Sequence, residues 1–225
     1  MTAGNPCDTL PAMSWSLILD WSGTLMDDLI PVWKTTNRVL VRCGFPPKSL
    51  EQFRAEFELP VSRCYARWAP GWAADQLEQM FIEEYGPYRQ EIAPLPGARE
   101  FLQRCRQEGW PVFIASTVDP HTYHSQMTRF ALERYITRAY LGIVDKTRVI
   151  HDILEENELD RRRTVFVGDM EHDIDAGKAG GVRTCAVLSG YTSAERLRAR
   201  QPDWICAHIG ELPEVLCGQD SPARP

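Results

Sequence analysis

Four short apolar runs punctuate the 225-residue chain. They are WSLILD, closing at Asp20, WPVFIAS, closing at Ser116, RTVFVGD, closing at Asp169, and RTCAVLSG, Arg183–Gly190. A weaker fifth is DWICAHI. Each is brief, rich in β-branched or aromatic residues and bounded by Gly, Pro or polar positions, a pattern that predicts strands. Between them the apolar spacing changes to that of helices. In GAREFLQRCRQEG, Ala98, Phe101, Leu102 and Cys105 share one face, and in TRVIHDILEENEL, Val149, Ile150, Ile153 and Leu154 do. Strands alternating with helices predict an α/β fold whose parallel sheet is covered on both sides.

One region breaks this rhythm. From about residue 29 to residue 92 no strand pattern appears, and helical stretches are separated by Gly and Pro. IPVWKTTNRVLVRCG ends at a glycine suited to a helix C-cap, while SLEQFRAEFEL starts on a Ser N-cap and stops before Pro60. VSRCYARWAPG and ADQLEQMFIEEYGPYR follow. The stretch reads as a helical insert, residues 29–92, that leaves after the first strand and returns at APLPG. Residues 1–28 and 93–225 then form the remaining domain. There are no internal repeats, and the tail GQDSPARP is expected to be disordered.

Composition narrows the function classes. The chain is 44% apolar and 25% charged with a net charge of −6, and it has no dense basic run. Arg161, Arg162 and Arg163 precede a strand and read as a solvated turn, so nucleic acid is not the expected partner. No apolar run approaches the ~20 residues that span a bilayer. The start, MTAGNPCDTLPAM, lacks the features of a signal peptide, so no membrane partner is expected. The seven cysteines are odd in number and contain no C-x-x-C pair, which points to reduced thiols and a cytoplasmic address. Nothing in the sequence speaks to oligomeric state.

The chemistry resides at the strand ends. In an open parallel sheet, ligands bind beyond the carboxyl ends of strands, where strand order reverses. Asp20, Ser116 and Asp169 stand at such ends, and Asp173 lies one helical turn past Asp169. Two carboxylates brought together repel unless a cation sits between them, and hard oxygen ligands suit Mg²⁺ with a substrate phosphate. A carboxylate nucleophile can then form an aspartyl-phosphate. Lys146 offers a further positive charge. Taken singly, Asp169 also reads as a helix N-cap, Ser116 as a turn residue and Lys146 as a surface lysine. It is their joint order that points to a site.

That order, LDWSGTL, FIAST, Lys146 and VGDMEHD, resembles the haloacid dehalogenase superfamily, particularly its phosphoglycolate phosphatase-like members. The match runs from about residue 15 to residue 216 and includes LPGAREFLQ, AGKAGGVRT and DWICAHIGELPEVL. The resemblance implies a Rossmann-like core with a mobile helical cap, and a hydrolase of small phosphorylated metabolites that uses Mg²⁺. By position, Asp20 is the implied nucleophile and Ser116 a hydrogen-bond donor to the transferring phosphoryl group. Lys146 pairs with both, Asp169 ligates the metal and Asp173 supports it. Gly23, Thr24 and Thr117 complete the implied phosphate site. Ser22 stands where relatives have a second aspartate. Its backbone carbonyl can still serve the metal, but its side chain cannot shuttle protons.

Two alternatives follow from that substitution. One is C–P cleavage of the phosphonoacetaldehyde hydrolase kind, which also begins with an Asp-Trp motif but needs a cap lysine where VSRCYARW offers Arg63, with Lys34 and Lys48 elsewhere. The other is a catalytically weak phosphate-binding protein. Carbon-attacking dehalogenases fit less well, because their fourth motif lacks the Asp169 and Asp173 arrangement. His121 and His124 have metal-like spacing without a third ligand and are better placed to face substrate. Trp68 and Trp72 are candidates either for the insert's packing or for its substrate surface, and His172 for capping its helix.

Overall fold

The computed structural model describes residues 14–219. Its main sheet has six parallel strands. In chain order they are β1 (Ser16–Leu19), β4 (Val112–Ala115), β5 (Arg138–Tyr140), β6 (Thr164–Gly168), β7 (Arg183–Val187) and β8 (Trp204–Cys206), with spatial order β5-β4-β1-β6-β7-β8. A separate antiparallel pair joins β2 (Met26–Asp27) to β3 (Ala93–Pro94). All five expected strands are present. The pattern gave no sign of β5, an edge strand of three partly or fully exposed residues beginning with Arg138, or of the two-residue β2 and β3.

Side chains alternate across the sheet and build a core on each face. Leu17, Leu19, Val112, Ile114, Val165 and Val167 point to one side, where they meet Phe101 and Leu102 of α5 (Ala98–Glu108) and Leu212 and Leu216 of α10 (Leu212–Gln219). Ile18, Phe113 and Phe166 point to the other, against Ile150 and Ile153 of α7 (Lys146–Glu156) and Ala176 of α8 (Glu171–Gly180). Two-sided burial explains why these strands read as unbroken apolar runs. The expected face of α5 is buried in full, whereas on α7 Val149 is only half-buried and Lys146 takes a place among the buried residues.

Residues between β2 and β3 form α1 (Leu29–Arg42), α2 (Leu50–Glu56), α3 (Ser62–Trp68) and α4 (Ala74–Tyr85). Ser49 caps α2 as its sequence predicts: its hydroxyl accepts from Gln52 N, and Gln52 Oε1 accepts from Ser49 N. These helices share a core of Phe53, Phe57, Tyr65 and Trp68, which reaches Met170 and Tyr191 beside the main sheet. Two arginines bind across this junction. Arg54 donates to the carbonyls of Leu188 and Thr192, and Arg196 of α9 (Ala194–Ala199) donates to those of Ala55 and Phe57.

The tail expected to be disordered from Gly218 starts inside α10, and its remainder and the N-terminal MTAGNPCDTLPAM lie outside the described residues. Among the described residues no helix is long and apolar enough to cross a membrane. The six described cysteines are free thiols.

Candidate active site

Strands β4, β1 and β6 are neighbours, and β1 is where the chain's strand order turns back. Leu19 pairs with Ile114 on one side and Val167 on the other, so Asp20, Ser116 and Asp169 emerge together at the carboxyl edge. Asp173, on the first turn of α8, completes the group. Oxygens of Asp20, Asp169 and Asp173 all lie within 4.8 Å of one another, and all three residues are buried. Among the described residues this is the one cluster of acidic, His or Cys side chains arranged to hold a cation.

Lys146 enters from the start of α7. Its Nζ lies 2.7 Å from Oδ1 of Asp20 and 2.7 Å from Oδ1 of Asp173. Burial disfavours the ammonium, but Asp173 and Asp20 outweigh it and hold the Lys146 pKa above that of an ordinary lysine. Burial likewise opposes ionisation of Asp173. His172, the Lys146 ammonium and the Met170 N–H, 3.0 Å from Oδ2, together hold that carboxyl below the usual range.

Asp169 is different. Its oxygens accept from the Thr24 hydroxyl at 3.1 Å and from Tyr191 N at 2.7 Å, both neutral donors. Burial first, then the charges of Asp20 and Asp173, push its pKa well up. Three buried carboxylates facing one ammonium leave negative charge uncompensated, and Asp169 carries the largest consequence. It is not a helix cap. Asp173 takes that role toward Met170 N.

Tight turns make room for Asp169. Gly23 has φ +73°, and a Cβ there would stand 2.6 Å from Asp169 Oδ2. A Cβ on Gly190 would stand 2.0 Å from the same atom. Both are close approaches that only glycine permits.

A cavity of about 800 Å³ lies between α1, α3 and α4 and this edge of the sheet. Of the three clustered carboxylates only Asp20 lines it, together with Ser22 and Thr117. Gly23, Thr24, Ser116, Lys146, Asp169 and Asp173 stand behind that surface. Ser116 Oγ accepts from Val118 N at 3.3 Å, a turn contact. Trp68 is buried, with Nε1 donating to Glu56, whereas Trp72 is exposed to the cavity. His121 and His124 are exposed and do not line it, although Thr122 on the same helix, α6 (Pro120–Phe130), does. His172 lines the cavity rather than capping α8, with burial lowering its pKa. No lysine lines the cavity: Lys34 pairs with Glu91 and Lys48 with Glu56.

Two residues beside the Asp20 cluster were not singled out from the sequence, Asp28 and Tyr191. Asp28 precedes α1, is buried, and has Oδ1 without a hydrogen-bond partner. Its carboxyl interacts with the hydroxyls of Ser22 and Tyr191, yet burial pushes its pKa up to about 6. Tyr191 follows Gly190 and joins the cavity to Asp169 through its backbone. The only signal for Asp28 was an acidic residue at a helix start, which ordinarily marks a cap.

The sequence profile of the haloacid dehalogenase-like hydrolases matches residues 17–187. The chain is 25% identical to a 5′-nucleotidase of Pseudomonas aeruginosa over 212 residues, 89% of this chain and 95% of that protein. It is 24% identical to a phosphoglycolate phosphatase of Synechococcus elongatus over 205 residues, 89% of this chain and 96% of the relative. Among solved structures, a haloacid dehalogenase-like hydrolase of Streptococcus pneumoniae shares the fold with a TM-score of 0.76 at 20% identity, covering 90% of this chain and 98% of that one.

Proposed function

The chain belongs to the haloacid dehalogenase-like hydrolases, as a phosphoric monoester hydrolase, and from that premise we propose that Asp20 takes the phosphoryl group of a small phosphorylated metabolite and passes it to water. One observation carries the assignment: Asp20 alone of the clustered carboxylates faces the cavity, while a buried ammonium grips its Oδ1. Lys146 thereby orients the carboxylate so that an oxygen attacks phosphorus. The P–O bond to the alcohol breaks as the Asp20–phosphoryl bond forms, and water then cleaves the acyl phosphate to release phosphate and restore Asp20.

The donor set fits a hard divalent cation. It consists of oxygens, and its negative charge exceeds what Lys146 offsets. Asp20 and Asp169 would hold Mg²⁺ together with the Ser22 carbonyl, and the ion would neutralise charge on the phosphoryl oxygens. Asp173 acts through Lys146, and Thr24 through Asp169. Thr117 and Ser22 border the phosphoryl position on the cavity side. Helices in residues 29–92 cover the opening of the core, residues 1–28 and 93–225, as a cap that excludes water from the reaction. Free cysteines suit a cytoplasmic setting.

Ser22 shapes the kinetics. A hydroxyl is too weak an acid or base near neutral pH to hand a proton to the leaving alcohol or take one from water. Losing such transfer costs about 10²–10⁴-fold, and a good leaving group escapes that cost in the first step but not in the second, so with such a substrate the phosphoryl group is captured faster than it is released. The test combines rapid-quench mixing with two variants. Wild type with Mg²⁺ and an aryl phosphate, whose phenolate departs without a proton, should show a burst of leaving group, Asp20→Asn none, and Asp169→Asn a raised Mg²⁺ requirement. Full turnover in EDTA, or by Asp20→Asn without deamidation, refutes this mechanism.

A further inference from the structure

A two-carbon acid fills only a small part of a cavity of about 800 Å³. Drug-sized ligands occupy clefts of about 300–1,000 Å³. Three of the large apolar side chains exposed on the molecule, Val61 at 39%, Trp72 at 38% and Ile82 at 61%, all open into this one space. Exposed apolar residues scattered singly need no explanation, but a shared concave surface marks a binding site. Phe81 and Tyr85 of α4 extend it, and Arg89 packs over the Tyr85 ring.

The charges point the same way. Beyond Asp20, the lining carries Asp28, Glu78 and Asp119, against Arg89 as its single Lys or Arg among the described residues. Arg89 lies on the exposed side of the molecule. A substrate with a carboxylate or second phosphate on its leaving group would meet three acidic side chains and one guanidinium. An uncharged leaving group meets no such opposition, and apolar rings find aliphatic and aromatic partners.

Resting on the phosphatase reading above, we infer that the substrate is a monophosphate of a large, uncharged, ring-bearing alcohol, its phosphoryl group at Asp20 and its rings against Trp72, Phe81 and Ile82. The attachment is a single P–O ester bond, broken in the reaction already described, so no further reactant is needed.

The experiment compares monophosphates of primary alcohols, which hold leaving-group acidity nearly constant: ethyl, benzyl and 2-naphthylmethyl phosphate. Phosphoglycolate and a nucleoside 5′-monophosphate complete the series, separating an acidic, a purely apolar and a polar-ring leaving group. The expected result is a kcat/KM for 2-naphthylmethyl phosphate at least about tenfold above those for ethyl phosphate and phosphoglycolate, expressed mainly in KM. Trp72→Ala and Ile82→Ala should each shrink the naphthylmethyl-to-ethyl ratio severalfold. Phosphoglycolate turned over best, or a ratio that neither variant moves, overturns the inference while leaving the phosphatase reading intact. Should neither these esters nor an aryl phosphate be hydrolysed, the phosphatase reading fails. Calorimetric binding of the same series to Asp20→Asn then still ranks ring against acid, and equal or reversed affinities overturn the cavity assignment.

Discussion

Nζ of Lys146 lies 2.7 Å from Oδ1 of Asp20, and the pair is almost wholly withdrawn from solvent. Removing one member of a buried, hydrogen-bonded ion pair leaves an uncompensated charge and typically costs about 3–5 kcal/mol. Lys146→Met should lose stability on that scale, because both Asp20 and Asp173 lose their cation. Urea unfolding in EDTA measures it, and added Mg²⁺ should recover part of the loss in the variant. A loss under about 1 kcal/mol would mean that Lys146 does not balance these carboxylates.

Asp28 makes stability depend on pH. Burial raises its pKa from 3.8 to about 6 in the folded chain, so the folded state holds a proton that the unfolded state has released. Below the unfolded value both states are protonated and Asp28 has no differential effect. As pH rises through the interval the folded state falls behind, and above the folded value the penalty is complete, on the order of 3 kcal/mol. Asp28→Asn should therefore match wild type near pH 4 and exceed it in stability near pH 8, by urea unfolding without metal. Parallel curves across that range would show that Asp28 titrates as an ordinary carboxyl.

Ser22 is matched to Asp28. Its hydroxyl supports the Asp28 carboxyl, whereas an aspartate at the same place would set a second carboxyl beside a buried one. Ser22→Asp alone should lose stability, and the double variant with Asp28→Asn should regain it. The double variant should also turn over up to about 10²-fold faster than wild type, with a smaller phosphoryl burst, because proton transfer is restored. Rapid-quench and steady-state rates on the same preparations decide this. A double variant as slow as wild type would show that missing proton transfer does not limit the reaction.

Arg196 of α9 fastens the end of α2. Its guanidinium donates to the carbonyls of Phe57 at 2.8 Å and Ala55 at 3.1 Å, where the helix ends, and it also pairs with Glu171. Hydrogen bonds to a charged group contribute about 1.5–3 kcal/mol. Arg196→Met should release the segment around residues 50–60 to limited proteolysis and raise KM severalfold. Unchanged cleavage kinetics would assign the hold on α2 to the Phe53, Phe57 and Tyr191 ring contacts instead.

Much of this protein is written locally. Continuous apolar runs marked β1, β4, β6 and β7, because strands buried on both faces carry mostly apolar side chains, while the half-exposed edge strand β8 left a weaker mark. The face of α5 and the Ser49 cap were equally legible, since each depends on residues within a turn or two. Asp20, Ser116 and Asp169 could be singled out because each stands directly after such a run. Local pattern reports that a side chain is buried or near a strand end, but not which distant group it meets. Strand order alone brought Asp20 beside Asp169. Tertiary packing sent Trp68 into the core and Trp72 to the cavity, left His121 and His124 outside it, and turned Lys146 inward between two carboxylates. The edge strand β5, polar and half-exposed, gained its structure from pairing with β4 rather than from its own composition. Asp28 carried no functional signal of its own in the sequence, and it is a buried carboxyl facing Ser22 only because α1 and the loop carrying Tyr191 close around it.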